Sequence, residues 1–160
     1  MEYNAPAKIL LVDDEPFNIK LLERVLRADY DLYSATTGAE ALTMIQHEEF
    51  DLVLLDIMMP GLTGLDVLRV VRDVKSPQEL PVILVTALAD SSDIKTGLAL
   101  RANDYIIKPF DIDEVRSRVQ TQLYVKGLAD AQKKAMAELE KANELRQRML
   151  RIASHDLKNP

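Results

Sequence analysis

Three short runs of the chain, KILLV at 8–12, DLVLLD at 51–56 and PVILVTA at 81–87, are almost unbroken Val, Ile and Leu. A strand that is apolar on both faces has to be covered on both faces, which points to a parallel sheet held between helices. DLYSA at 31–35 and DYIIK at 104–108 also read as strands. Between the strands, 16–28, 38–48, 64–74 and 91–101 read as helices. In the first of these, Ile19, Leu22, Val25 and Leu26 fall on one face at helical spacing. Thr37 and Glu40 have the form of a capping box opening the second helix, and Asp111 with Glu114 offers a similar box before a fifth. Strict alternation of strand and helix predicts an α/β fold with a parallel, doubly wound sheet and right-handed crossovers.

From about Glu114 the pattern changes. No strand follows, Pro is absent until Pro160, and Ala, Glu, Lys, Gln and Arg take over. With Leu128 at heptad position a, that position is filled by Leu128, Ala135, Ala142 and Met149, and position d by Ala131, Glu138, Leu145 and Ile152. Only Glu138 is polar, so the pattern predicts a dimeric coiled coil with a thin, Ala-containing seam; a solvated single helix is the alternative. A helix running over 112–158 finds no partner in its own chain. Gly127 costs such a helix about 1 kcal/mol of propensity and marks a candidate hinge.

Composition narrows the class. A chain of 160 residues holds one domain of about 100–150 residues plus an appendage. It has no cysteine, which excludes disulfides and thiolate metal sites. A net charge of −6 argues against a general nucleic-acid surface. Its apolar runs fall far short of the roughly 20 residues of a membrane span. The N-terminal stretch lacks the charged-then-apolar form of a signal peptide. The expectation is a cytoplasmic protein with no membrane span and no nucleic-acid partner.

All strand C-termini of such a sheet open on one edge, where ligands bind. Asp13 and Asp14 follow the first strand, Asp56 ends the third, Thr86 lies in the fourth and Lys108 ends the fifth. Clustered carboxylates repel one another, and a hard divalent cation such as Mg²⁺, which takes oxygen ligands, relieves the repulsion. A carboxylate is also a nucleophile toward phosphorus. The natural nucleophile is Asp56, with Asp13 and Asp14 on the metal. Lys108 would pair with the phosphoryl group and Thr86 would donate a hydrogen bond to it.

The stretches ILLVDDEPFN, DLVLLDIMMPGLTGLDVLR, PVILVTA and NDYIIKPF closely resemble the receiver domain of bacterial response regulators, over residues 7–123. The resemblance implies a flavodoxin-like sheet of order 2-1-3-4-5 and phosphorylation of Asp56. It implies Mg²⁺ held by Asp13, Asp14, Asp56 and the backbone carbonyl of Met58. Thr86 and Tyr105 match the family's switch pair, and Lys108-Pro109 its cis peptide. Asp104 and Arg118 match positions that pair across some receiver dimers. Arg101 stands where the family usually has Gly, so the end of the fourth helix is expected to differ in shape. Met58 and Leu88 are the apolar residues two after Asp56 and Thr86, positions that tune hydrolysis in the family, and they imply slow autodephosphorylation.

A haloacid-dehalogenase-type phosphatase would need Asp-x-Asp after the first strand, where this chain has Asp13-Asp14. A flavodoxin would need a Ser/Thr/Gly-rich phosphate loop there, and a P-loop NTPase a Gly-Lys-Ser/Thr motif; neither is present. His47 has no second His one helical turn away and reads as a surface residue. The end, RIASHDLKNP, resembles the phosphoacceptor box of histidine kinases: His155 with Asp156 at +1, Asn159 at +4 and Pro160 at +5. Residues 124–152 then read as a coiled-coil signalling linker and 153–160 as the start of a kinase dimerisation domain. That reading implies an ATP-binding domain in a longer protein, a homodimer through the C-terminal helix, and a histidine kinase or phosphotransfer protein as phosphodonor. The alternative is a receiver-type interaction module with a helical dimerisation tail and no kinase output.

Overall fold

The computed structural model describes residues 5–87 and 91–158. Its elements are β1 (Lys8–Val12), α1 (Pro16–Leu26), β2 (Asp31–Ala35), α2 (Gly38–His47), β3 (Leu52–Asp56), α3 (Gly64–Val74), β4 (Val82–Ala87), α4 (Ser91–Ala99), β5 (Asp104–Lys108) and α5 (Ile112–Lys158). The five strands form one parallel sheet in the order β2-β1-β3-β4-β5. This is the expected flavodoxin-like fold, with a long C-terminal helix. The three runs of unbroken apolar residues are its three central strands.

Side chains alternate between the faces of a strand, so each central strand feeds two separate cores. Leu10, Val12, Val53, Leu55, Val82 and Leu84 enter one layer, with Ala41 of α2 and Val67, Leu68 and Val71 of α3. Ile9, Leu11, Leu52, Leu54, Ile83 and Val85 enter the other, with Ile19, Leu22, Val25 and Leu26 of α1 and Val115 and Val119 of α5. Ile9, Leu10, Leu11, Leu52 and Ile83 are fully buried. Each such side chain stabilises the fold by about 1.5–3 kcal/mol.

The capping expectations need correction. Thr37 Oγ1 accepts from Glu40 N at 3.1 Å, but the Glu40 carboxylate accepts from Thr36 N rather than Thr37 N, so the box is only half formed. Asp111 Oδ1 accepts from Asp113 N and Glu114 N, while Glu114 pairs instead with Arg118. Among the described residues a complete capping box forms at α3, where Thr63 and Asp66 exchange both bonds. Aspartate at the third helical position does the work usually given to Glu.

The end of α4 also differs from expectation. Arg101 itself takes the left-handed conformation, at φ 67°. Arg101 N donates to Leu98 O and Ala102 N to Gly97 O, the hydrogen-bond pair of a Schellman motif. The conformational cost of about 1–2 kcal/mol is offset by Arg72, whose Nε donates to Arg101 O at 2.9 Å. Arg72 is buried, and its guanidinium also donates to Leu80 O and Asn103 Oδ1. Burial, and then the Arg101 charge, pull its pKa down to about 10.

The chain divides into two compact units, Met1–Lys126 and Gly127–Pro160. In the second, every described residue except Ala129 is exposed, and Gly127 is helical. Its exposed residues include Leu128, Leu139, Leu145, Met149, Ile152 and Leu157. Among the described residues no helix is long and apolar enough to cross a membrane.

Candidate functional site

The strand parity that divides the core also sorts the site residues. Asp13 continues the alternation of Ile9 and Leu11, Asp56 that of Leu52 and Leu54, and Lys108 that of Ile106. All three belong to the α1/α5 side of the sheet. Thr86 follows Leu84 in alternation, and Tyr105 packs against that same opposite layer.

Oxygens of Asp13, Asp14 and Asp56 lie within 4.8 Å of one another. Lys108 Nζ stands between two of these carboxylates, 3.0 Å from Asp13 Oδ2 and 3.4 Å from Asp56 Oδ1. Asp13 and Asp56 are buried and Asp14 is half-buried. The second oxygen of Asp13 accepts from Glu15 N at 2.9 Å, which closes the turn from β1 into α1. The Lys108-Pro109 peptide is cis, as the resemblance implied.

Burial, and then the Asp13 carboxylate, push the Asp56 carboxyl from its ordinary 3.8 up to about 6, against Lys108 and a bond from the Met58 backbone N–H. Burial also opposes the Lys108 ammonium, but its hydrogen bond to Asp13 and the charges of Asp56 and Asp13 outweigh it and hold its pKa above the ordinary value. Three carboxylates thus face one ammonium. An all-oxygen donor set with uncompensated negative charge suits a hard dication, so these residues fit Mg²⁺.

Thr86 is buried, and its hydroxyl donates to Ala87 O at 3.2 Å. The Met58 side chain is largely exposed, and Leu88 lies outside the described residues. Tyr105 is half-buried, with the Arg118 guanidinium 6.0 Å from its ring centroid. Arg118 donates to both oxygens of Asp104 at 2.9 Å, so this pair forms within the chain. In the second unit His155 is exposed, with Nδ1 3.8 Å from Asp156 Oδ1; Asn159 and Pro160 lie outside the described residues. His47 is exposed on α2, with Nδ1 2.8 Å from Thr43 O.

Arg72 was missed as a structural residue, although its spacing from Gly64, Val67, Leu68 and Val71 sets it on the buried stripe of α3. A charged residue at a buried helical position was the available signal.

A family model of the response regulator receiver domain matches residues 9–120. Over 117 residues the chain is 43% identical to a probable transcriptional regulator, ycf27, of Porphyridium aerugineum, covering 72% of this chain and 48% of that protein. It is 40% identical to the DNA-binding response regulator MtrA of Mycolicibacterium smegmatis over 117 residues, 72% of this chain and 50% of the relative. The chain thus spans about half the length of these curated relatives. Among solved structures, a CheY-like receiver domain protein from Methanospirillum hungatei superposes with TM-score 0.73 at 26% identity, covering 78% of this chain and 99% of that one. The receiver domain of the Francisella response regulator 1452 gives TM-score 0.68 at 31% identity, covering 74% and 97%.

Proposed function

The chain belongs to the response regulator receiver domain family, and from that premise we propose that it accepts a phosphoryl group on Asp56 and passes its state through α5 to a histidine-kinase unit. The observation that carries the first half is the placement of Lys108 Nζ, 3.0 and 3.4 Å from two of three clustered carboxylates. A carboxylate oxygen of Asp56 attacks the phosphorus of a phosphohistidine or an acyl phosphate; the new P–O bond forms as the donor's bond to phosphorus breaks. Asp13, Asp14, Asp56 and the Met58 carbonyl would hold Mg²⁺, which supplies positive charge to the carboxylates and the phosphoryl oxygens.

The chain's own groups do the rest. Lys108 shifts its ammonium from the Asp13–Asp56 pair onto a phosphoryl oxygen. Thr86 exchanges its bond to Ala87 O for one to the phosphoryl group, and Tyr105 turns inward behind it. Apolar Met58 and Leu88 carry no group that could orient a water, so the acyl phosphate is long-lived.

In the second half of the proposal, His155 is a phosphoacceptor histidine assisted by Asp156, with Asn159 positioning water. The tail forms a homodimer through its exposed Leu128, Leu145, Met149 and Ile152. The relatives described above carry names of DNA-binding or transcriptional regulators, so the phosphoacceptor half stands apart from the kinase half. Incubation with acetyl phosphate and Mg²⁺, followed by intact-mass measurement, tests the first half. One phosphoryl adduct is expected on the wild type and none on Asp56→Asn. An adduct that survives the substitution refutes the site.

A further inference from the structure

The carboxylate cluster is fed by β1 and β3, and α2 contributes no side chain to it. Yet α2 begins at a buried glycine. A Cβ built on Gly38 would lie 2.8 Å from Leu62 Cβ, 2.9 Å from Leu62 O and 2.9 Å from Val67 Cγ2, separations that real Cβ atoms essentially never show. Val67 Cγ2 is the end of a side chain and can rotate. The other two atoms are fixed to the backbone of the loop over 57–63, between β3 and α3, which carries Met58.

That loop is closed at its other side by a second glycine. Gly64 N donates to Ile57 O at 2.9 Å, and a Cβ on Gly64 would fall 2.1 Å from the Asp56 carbonyl oxygen. The loop is therefore seated between two residues without side chains, Gly64 against Asp56 and Gly38 against Leu62. Gly61 and Gly127, by contrast, have nothing within 4 Å of such a Cβ.

Resting on the Mg²⁺ site proposed above, we infer that Gly38 is a positioning residue for that site: its missing side chain sets where the β3–α3 loop presents the Met58 carbonyl. A methyl group at 38 has to displace either α2 or the loop. Ala41 is fully buried and Leu42, Met44 and Ile45 pack on the core, so α2 is fixed. Leu62 is 40% exposed, in a loop whose core anchors are Ile57 and Met59 on either side of Met58, so the strain is taken up in the loop between Leu62 and those anchors. Mg²⁺ demands near-ideal octahedral geometry and tolerates little displacement of an oxygen ligand.

The test titrates Mg²⁺ into the full chain by calorimetry, alongside Tm in EDTA. Gly38→Ala is expected to bind Mg²⁺ on the order of ten-fold more weakly, the scale of outer-shell substitutions. Val25→Ala, in the other core layer, is expected to lower Tm while leaving Mg²⁺ affinity unchanged. A wild type that binds Mg²⁺ with Gly38→Ala within two-fold of it overturns the inference alone. A wild type that binds none removes the site reading and the inference with it. If Gly38→Ala does not fold, the double variant Gly38→Ala/Leu62→Gly is compared with Leu62→Gly. Leu62→Gly removes the Cβ contact but leaves the Leu62 carbonyl oxygen 2.9 Å from the added methyl, so weaker binding by the double variant supports the positioning role and equal binding refutes it.

Discussion

The sheet unit and the helical unit are built from equally regular backbone but differ in what holds their apolar side chains. In the sheet unit, Leu54 and Leu55 are adjacent in sequence, point to opposite faces, and are each 1% exposed. In the helical unit, Leu139 is 70% exposed and Leu157 86%. Most helical stability comes from packing an apolar face. The sheet unit finds that packing within itself, whereas the tail leaves its apolar side chains exposed. The carboxylate cluster lies in the sheet unit, where rigid strand ends give the ångström placement that a site needs.

The sharpest break of this comparison is a pair of truncations. Leu54→Ala is expected to cost about 2–5 kcal/mol in urea unfolding, and Leu139→Ala about 0.5 kcal/mol or less at monomer concentrations. Equal losses would mean that the tail is already packed.

The next effect is pH-dependent and lies inside the sheet unit. The Asp56 carboxyl has a folded pKa of about 6 against an ordinary 3.8. The folded chain therefore binds more protons there than the unfolded chain. This group's contribution is most favourable below the unfolded value and is lost as pH rises through about 6. In EDTA at pH 8, Asp56→Asn is expected to gain on the order of 3 kcal/mol. The same substitution should flatten the stability gained on acidifying to pH 5. Thermal unfolding across that range checks both, and an unchanged slope in the variant would remove the raised Asp56 pKa as the cause.

The smallest effects come as another pair. Arg101→Gly relieves a left-handed residue in the sheet unit, for a gain of up to about 1 kcal/mol in its unfolding transition. Gly127→Ala adds about 1 kcal/mol of helix propensity in the tail. That change is expected to raise helicity by circular dichroism without moving the sheet unit's Tm.

Much of this architecture could be read from residue order. The unbroken apolar runs gave the central strands, and Asp13, Asp14, Asp56 and Lys108 at strand ends gave the cluster. Counting by twos along β3, β4 and β5 would further have separated Asp56 and Lys108 from Thr86 and Tyr105. Helix ends were less legible, because they depend on competition among hydrogen bonds. Glu40 could reach Thr36 or Thr37, and Arg101 is held in a costly conformation by Arg72, 29 residues earlier in the chain. The close approach of Gly38 to Leu62 has no local signal, since two distant segments create it.

The two regions are separated most directly by treating the full chain with radiolabelled acetyl phosphate and Mg²⁺, then cleaving it and mapping the labelled peptides. Label is expected on the peptide that carries Asp56 and on no peptide that carries His155. Label confined to the His155 peptide, or retained by Asp56→Asn, would contradict the assignment of phosphoryl uptake to the sheet unit.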